Sequence, residues 1–293
     1  MKVLAVVFMC MASVICQQTT VESLVDDGRF KTLVNYVVKA NLTGTLNSAN
    51  FTIFAPTDTA FQSLDPTIKA ALDSDNALLT DALLYHVISG RVPSSAASNE
   101  AKLTMANGKV ARVNVYTHNN KVTIQGSVIS QFDLPASNGI IHVLDSVMLA
   151  PTGNIVDYVA GHAEFSTLLS LVQQAGIADT LKLDGLTVFA PTNAAFSKVP
   201  AATLTDIQND ASKLMSVLTY HVVNGTQYSA GLWQKETIPT LNRNDDLVVH
   251  MVHHHEDVKI DNGLVTTANV GTTNGVIHVV DHVLIPHKDP IVG

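Results

Sequence analysis

The chain has 293 residues, of which 46% are hydrophobic and 14% charged, and its formal net charge is −8. That balance excludes a disordered chain or a long coiled coil, and the excess of acid makes a poor partner for nucleic acid or other polyanions. Aromatic residues are only 5%, so aliphatic and β-branched side chains must fill the core.

In chain order, the first element is Met1-Lys2 followed by the apolar run Val3 to Cys16. A basic start and an apolar stretch too short to span a bilayer predict a secretory signal peptide over residues 1–16, leaving Gln17 as the first mature residue. Both cysteines, Cys10 and Cys16, lie in this leader. The mature protein is therefore expected to have no disulfide and no transmembrane segment, and to be secreted to the extracellular space.

Phe30, Leu33, Val34, Val37 and Val38 then recur at helical spacing. A short β-rich run, Phe51 to Ala55, stops at Pro56, and Thr57-Asp58 offers a side-chain oxygen to cap a new helix carrying Phe61. A Leu- and Ala-rich helix is predicted over Asn76–His86. Beyond the Tyr85-His86 pair the pattern alternates, predicting strands over Lys109–Tyr116 and Lys121–Ile129 about a turn at 117–120. A nearly continuous apolar strand over Ile140–Ala150 closes the unit.

Everything from Phe30 then repeats. Phe51-Thr52-Ile53-Phe54-Ala55-Pro56-Thr57 returns 135 residues later as Leu186-Thr187-Val188-Phe189-Ala190-Pro191-Thr192, and Tyr85-His86 returns as Tyr220-His221. Asn138-Gly139-Ile140-Ile141-His142 returns 136 residues later as Asn274-Gly275-Val276-Ile277-His278, so one residue is gained between Gly225 and Asn274. The closing strand of this copy is predicted over Val276–Pro286. A period this long is domain-sized, since solenoid repeats run to roughly 20–50 residues. The predicted organisation is one domain over 17–150, a second over 151–287 and a short tail over 288–293. Helices first and strands later in each unit predict an α+β fold.

These ordered motifs, each present twice, resemble the fasciclin-type domain of fasciclin I, periostin and related matrix proteins, over nearly all of the mature chain. The resemblance implies two fasciclin-like domains, each a wedge-shaped β-sandwich with packed helices. It also implies a role in extracellular adhesion, with matrix proteins or cell-surface receptors, including receptors of integrin type, as partners. Adhesion in this family is linked to an Asp-Ile pair ahead of the closing block and to the region of the Tyr-His pair. Asp133-Leu134 matches the first; the second copy has Asn269-Val270 there and lacks the carboxylate. Tyr85, His86, Tyr220 and His221 match the second. A histidine at the end of an apolar helix more often satisfies a buried backbone group than binds a ligand.

The second copy alone carries His250, His253, His254, His255, Glu256 and Asp257. Strand alternation would put His253, His255 and Asp257 on one face, where they could hold Zn²⁺ or Cu²⁺ loosely. This gives an alternative reading, a secreted binder of metal or mineral surfaces; a third is a carrier of hydrophobic ligands. No dedicated cofactor is expected. The sequons at Asn41, Asn50 and Asn224 predict N-glycosylation. The mature chain has no thiol, no Gly-x-Ser-x-Gly elbow, no His-Glu-x-x-His helix and no phosphate-cradling glycine loop, so it is not expected to be an enzyme.

Overall fold

The computed structural model describes residues 18–252 and 257–287. The chain divides into two compact units, residues 1–150 and 151–293. Each carries one seven-stranded sheet with helices against it.

In the first unit, helices α1 (Thr20–Asp27), α2 (Lys31–Lys39) and α3 (Thr43–Ser48) lead into strand β1 (Phe51–Pro56), followed by α4 (Asp58–Gln62), α5 (Pro66–Ser74) and α6 (Asn76–Leu84). The remaining strands are β2 (Val87–Ser89), β3 (Ala101–Thr104), β4 (Val110–Tyr116), β5 (Lys121–Ile124), β6 (Ser127–Ala136) and β7 (Gly139–Leu144). Their order in the sheet is β2-β1-β7-β6-β5-β4-β3.

The pair β1 and β7 is parallel, from Phe51 opposite Gly139 to Pro56 opposite Leu144, and both of its faces are buried. Ile53, Ala55, Ile141 and Val143 point into a core made with the helices, among them Phe30, Leu33 and Leu83. Phe54 and Leu144, one residue out of phase, point into a second core with Val113, Ile124 and Ile129. Burial on both faces accounts for the nearly continuous apolar sequence of these strands. The ten-residue β6 makes the corner: its start pairs with β5 and its remainder with β7, with two register shifts on the way. Bulges bend a strand and re-aim its side chains, so the sheet doubles back on itself as a sandwich.

The second unit repeats the plan. Its helices include α7 (Ile155–Gly161), α8 (Ser166–Gln174), α9 (Asn193–Ser197), α10 (Ala201–Asn209) and α11 (Ala211–Tyr220). Its strands are β8 (Leu186–Pro191), β9 (Val222–Asn224), β10 (Thr237–Pro239), β11 (Asp246–Val252), β12 (Asp257–Ile260), β13 (Gly263–Thr272) and β14 (Gly275–Val280). The parallel centre is now β8 with β14, again between a helical core and a sandwich core.

Three expectations are corrected. The run Lys121–Ile129 is two strands, broken at Gln125 and Gly126 with φ of 48° and 80°. Successive residues at positive φ make a tight hairpin turn. The closing strands stop at Leu144 and Val280, because their partners end at Pro56 and Pro191 and the chain beyond turns its N–H groups to other acceptors. Helix α2 is narrower than its apolar spacing implies: Phe30 precedes it as the N-cap residue, and Val38 is 61% exposed.

Candidate functional site

The Tyr-His pairs sit where helix α6 or α11 runs into a strand, and they are buried. Tyr85 and Tyr220 are 0% exposed, His86 4% and His221 2%. His86 Nδ1 donates to the carbonyl of Ala82 at 2.8 Å, one helical turn back, and Nε2 accepts the N–H of Met148 at 3.0 Å. His221 makes the same two bonds with Val217 and Leu284, at 2.8 and 2.9 Å. Each ring thus fastens a helix end to the segment leaving the last strand. Burial pushes both down from 6.5 to about 4, against the raising effect of the backbone hydrogen bond. The tyrosine hydroxyls donate inward too, Tyr85 to Val110 O at 3.0 Å and Tyr220 to Asp261 Oδ2 at 2.7 Å. These side chains offer nothing to a partner at the surface of the folded domain.

Asp133 lies elsewhere, in the β6 bulge, with φ of 56°. Its carboxylate accepts the Ser94 N–H at 2.9 Å and the Ser94 hydroxyl, so it pins the short turn Ser94–Ala96. Those two bonds outweigh partial desolvation and hold its carboxyl below the usual carboxylate range, the Ser94 hydroxyl contributing most. Its own N–H donates to His142 Nδ1 at 3.3 Å, while His142 Nε2 donates to Val92 O at 2.9 Å. The second copy reproduces this with an amide. Asn269 has φ of 63°, accepts the Ser229 N–H at 2.8 Å and donates Nδ2 to Ser229 Oγ at 2.7 Å. Its N–H donates to His278 Nδ1 at 3.4 Å, and His278 Nε2 donates to Gln227 O at 2.7 Å. Asp and Asn tolerate left-handed backbone and accept local hydrogen bonds equally. The difference between Asp133 and Asn269, prominent in the sequence, leaves the local architecture unchanged. Asp133 and Pro135 are exposed beside the turn, whereas Leu134 leans on the helical core.

Sequence reasoning missed several polar groups. Asn138 Oδ1 accepts the N–H of Thr20 at 2.7 Å and its Nδ2 donates to Leu46 O at 2.7 Å, tying β7 to α1 and α3. Asn274 ties Ile155 and Leu181 in the same way, at 2.9 and 2.8 Å. Thr57 and Thr192 cap their own helices as expected, through the N–H of Ala60 at 3.2 Å and of Ala195 at 3.3 Å. Their neighbours Asp58 and Asn193 instead cap α2 and α8, accepting from Thr32 at 2.7 Å and Thr167 at 3.0 Å. The return of Thr57 as Thr192, of Asp58 as Asn193 and of Asn138 as Asn274 was the available signal.

Of the histidine-rich segment, His253 to Glu256 lie outside the described residues, and so do the leader 1–16 and the tail 288–293. Val252 pairs with Asp257 and His250 with Lys259 across the flanking hairpin. Among the described residues no group of three or more His, Cys, Asp or Glu is placed to hold a metal ion, and no helix is long and apolar enough to cross a membrane. Asn41, Asn50 and Asn224 are all exposed.

The chain is 31% identical over 242 residues to human periostin, covering 81% of this chain and 28% of periostin. It is 32% identical over 242 residues to transforming growth factor-beta-induced protein ig-h3 of Sus scrofa, covering 81% of this chain and 35% of that protein. The chain thus spans about a third of the length of these relatives. Among solved structures, a FAS1 domain pair from the insect cell adhesion molecule fasciclin I matches with a TM-score of 0.42 and 19% identity, over 90% of this chain and 99% of that one. The fasciclin domain model matches residues 28–150 and again 163–286. The chain belongs to the fasciclin domain family, with two copies of the domain in tandem.

Proposed function

We propose that this is a secreted adhesion protein whose tandem fasciclin domains make cell–matrix or matrix–matrix contacts, with extracellular matrix proteins or integrin-type receptors as partners. The observation that carries the reading is the family match over both copies, residues 28–150 and 163–286. The relatives align across both copies as well, over 81% of this chain. A signal-like leader and exposed sequons agree with an extracellular destination.

Contacts run through the exposed surface at the first-domain corner, formed by the Asp133-Leu134-Pro135 bulge and the turn it pins. Asp133 holds that surface in shape. Tyr85 supports it from within, in the sandwich core against which Phe132 of β6 packs, whereas His86, and Tyr220 and His221 in the second domain, are internal supports of the fold. The test is attachment of cells to surfaces coated with the full mature chain. Attachment well above an albumin-coated surface is expected; attachment no better than albumin, together with no retention of matrix proteins, contradicts the reading.

A further inference from the structure

Two of the three sequons hold an asparagine that the fold does not use. Asn41 ends helix α2 in the left-handed region, with φ of 56°, where the second copy has Gly176 with φ of 68°, so the backbone accounts for it without a sugar. Asn50 and Asn224 have no such role. Both are exposed, and among the described residues neither side chain has a hydrogen-bond partner.

The two also stand at one place in the fold, although they fall at different places in the repeat. Asn50 corresponds to Gly185 and Asn224 to Ser89, so neither sequon has a copy in the other domain. In the first domain the carbonyl of Asn50 accepts the N–H of Gly90 at 2.8 Å, and Gly90 follows Ser89. In the second the carbonyl of Gly185 accepts the N–H of Gly225 at 2.6 Å, and Gly225 follows Asn224. Each asparagine thus flanks the same end of a central strand and its short antiparallel neighbour, β1 with β2 or β8 with β9. A Cβ on Gly90 or Gly225 would meet no atom within 4 Å, so this corner is open in both domains and has room for a bulky polar group.

The rest of each sequon is closed. N-glycosylation joins the side-chain nitrogen of asparagine to the anomeric carbon of a lipid-linked oligosaccharide. The bond from that carbon to the pyrophosphate oxygen breaks, the lipid pyrophosphate leaves with the electron pair, and the amide proton passes to a base of the transferase. The motif requires a hydroxyl two residues on, so the transferase must reach both groups together. Thr52 is 0% exposed, its hydroxyl donating to Gly90 O and accepting the Val92 N–H, both at 2.8 Å, and Thr226 is 2% exposed. Folded domains cannot offer these hydroxyls. Before folding they are accessible: β1 waits for Gly139, 88 residues beyond Phe51, and β8 waits for Gly275, 51 residues beyond Asn224. Synthesis at roughly 5–20 residues per second leaves windows of about 4–18 s and about 3–10 s.

We propose that Asn50 and Asn224 carry N-linked glycans attached only while their domain is unfolded, so that folding ends the modification and leaves one glycan at the same corner of each domain. This rests on the secretory part of the reading above and not on adhesion. The chain made in bacteria without residues 1–16 is treated with purified oligosaccharyltransferase and a lipid-linked oligosaccharide. Peptide mass mapping after enzymatic release in heavy-oxygen water reads the result, since each modified asparagine becomes a labelled aspartate. The folded wild-type chain should stay unmodified at Asn50 and Asn224. Gly139→Ala, which sets a Cβ 2.0 Å from the Phe51 carbonyl oxygen, should gain modification at Asn50 and not at Asn224; Gly275→Ala should do the reverse. Secreted from animal cells with the predicted leader in place, the wild-type chain should carry glycan at both. Modification of the folded wild-type chain, no gain in either variant, or a secreted chain bare at Asn50 or Asn224 would overturn the proposal, the last leaving the adhesive reading intact. A chain that stays bare in the cytosol would overturn it together with the secretory reading.

Discussion

A buried imidazole with one nitrogen donating and the other accepting is fixed as the neutral form, because protonation turns its acceptor into a second donor facing an N–H. His86, His221 and His278 are all in this state, each pushed by burial from 6.5 to about 4. A folded value below the unfolded one means that the unfolded chain binds more protons in between. The stability each ring contributes is complete above pH about 6.5 and is lost as the pH falls toward about 4, up to about 3 kcal/mol per ring. Urea unfolding should therefore show stability falling across that window, and His221→Gln should flatten the fall in the second domain. Glu236 has the opposite sign. Burial raises it to about 7, only partly countered by the N–H of Trp233, so its contribution is present below about 4.5 and is lost as the pH rises through about 7. Glu236→Gln should raise stability at pH 8 by roughly 1–3 kcal/mol while changing little at pH 4.5. At the bulge, Asp133→Ala should cost roughly 1–3 kcal/mol by leaving Ser94 unpartnered, and Asp133→Asn less than about 0.5 kcal/mol. Denaturant midpoints of the two variants check this. Here the sequence misleads: a carboxylate in one copy against an amide in the other suggests a functional difference, yet both side chains pin the same turn.

Among the elements, the parallel pair at the centre of each sheet is the most exacting. A Cβ on Gly139 would stand 2.0 Å from the carbonyl oxygen of Phe51, and one on Gly275 would stand 2.0 Å from that of Leu186. Backbone cannot yield at that distance without losing the β1–β7 or β8–β14 ladder. Gly139→Ala should therefore abolish cooperative unfolding of the first domain, and Gly275→Ala that of the second, as followed by calorimetry. The strands themselves are legible because burial on both faces gives a continuous apolar run. Their ends are not, since they are set by the partner strand's proline. Helices α5 and α10 escaped detection because each buries little, chiefly Leu72 in one and Ile207 in the other. The hairpin at Gln125-Gly126 was hidden inside alternation that continues on both sides of it.

Across the whole molecule, what returns in both copies builds the fold. The Phe-Ala-Pro-Thr block supplies a central strand and helix caps, Tyr-His fastens a helix end, and Asn-Gly-x-Ile-His ties the first helix, the parallel strands and the pinned turn. Repetition made these motifs visible, and the family they carry was readable from sequence for that reason. Their roles were not, because each depends on partners distant in sequence, 118 residues for Thr20 and Asn138 and 119 for Ile155 and Asn274. On the proposed reading, contacts are left to the exposed surface around those supports, where no periodicity or motif marks a contact residue. The most direct measurement is attachment of cells to surfaces coated at equal density with the wild-type chain and with Asp133→Asn. Equal attachment, with equal melting temperatures, is the predicted result. Loss of attachment by an intact Asp133→Asn protein would contradict it, placing the carboxylate itself in the adhesive contact.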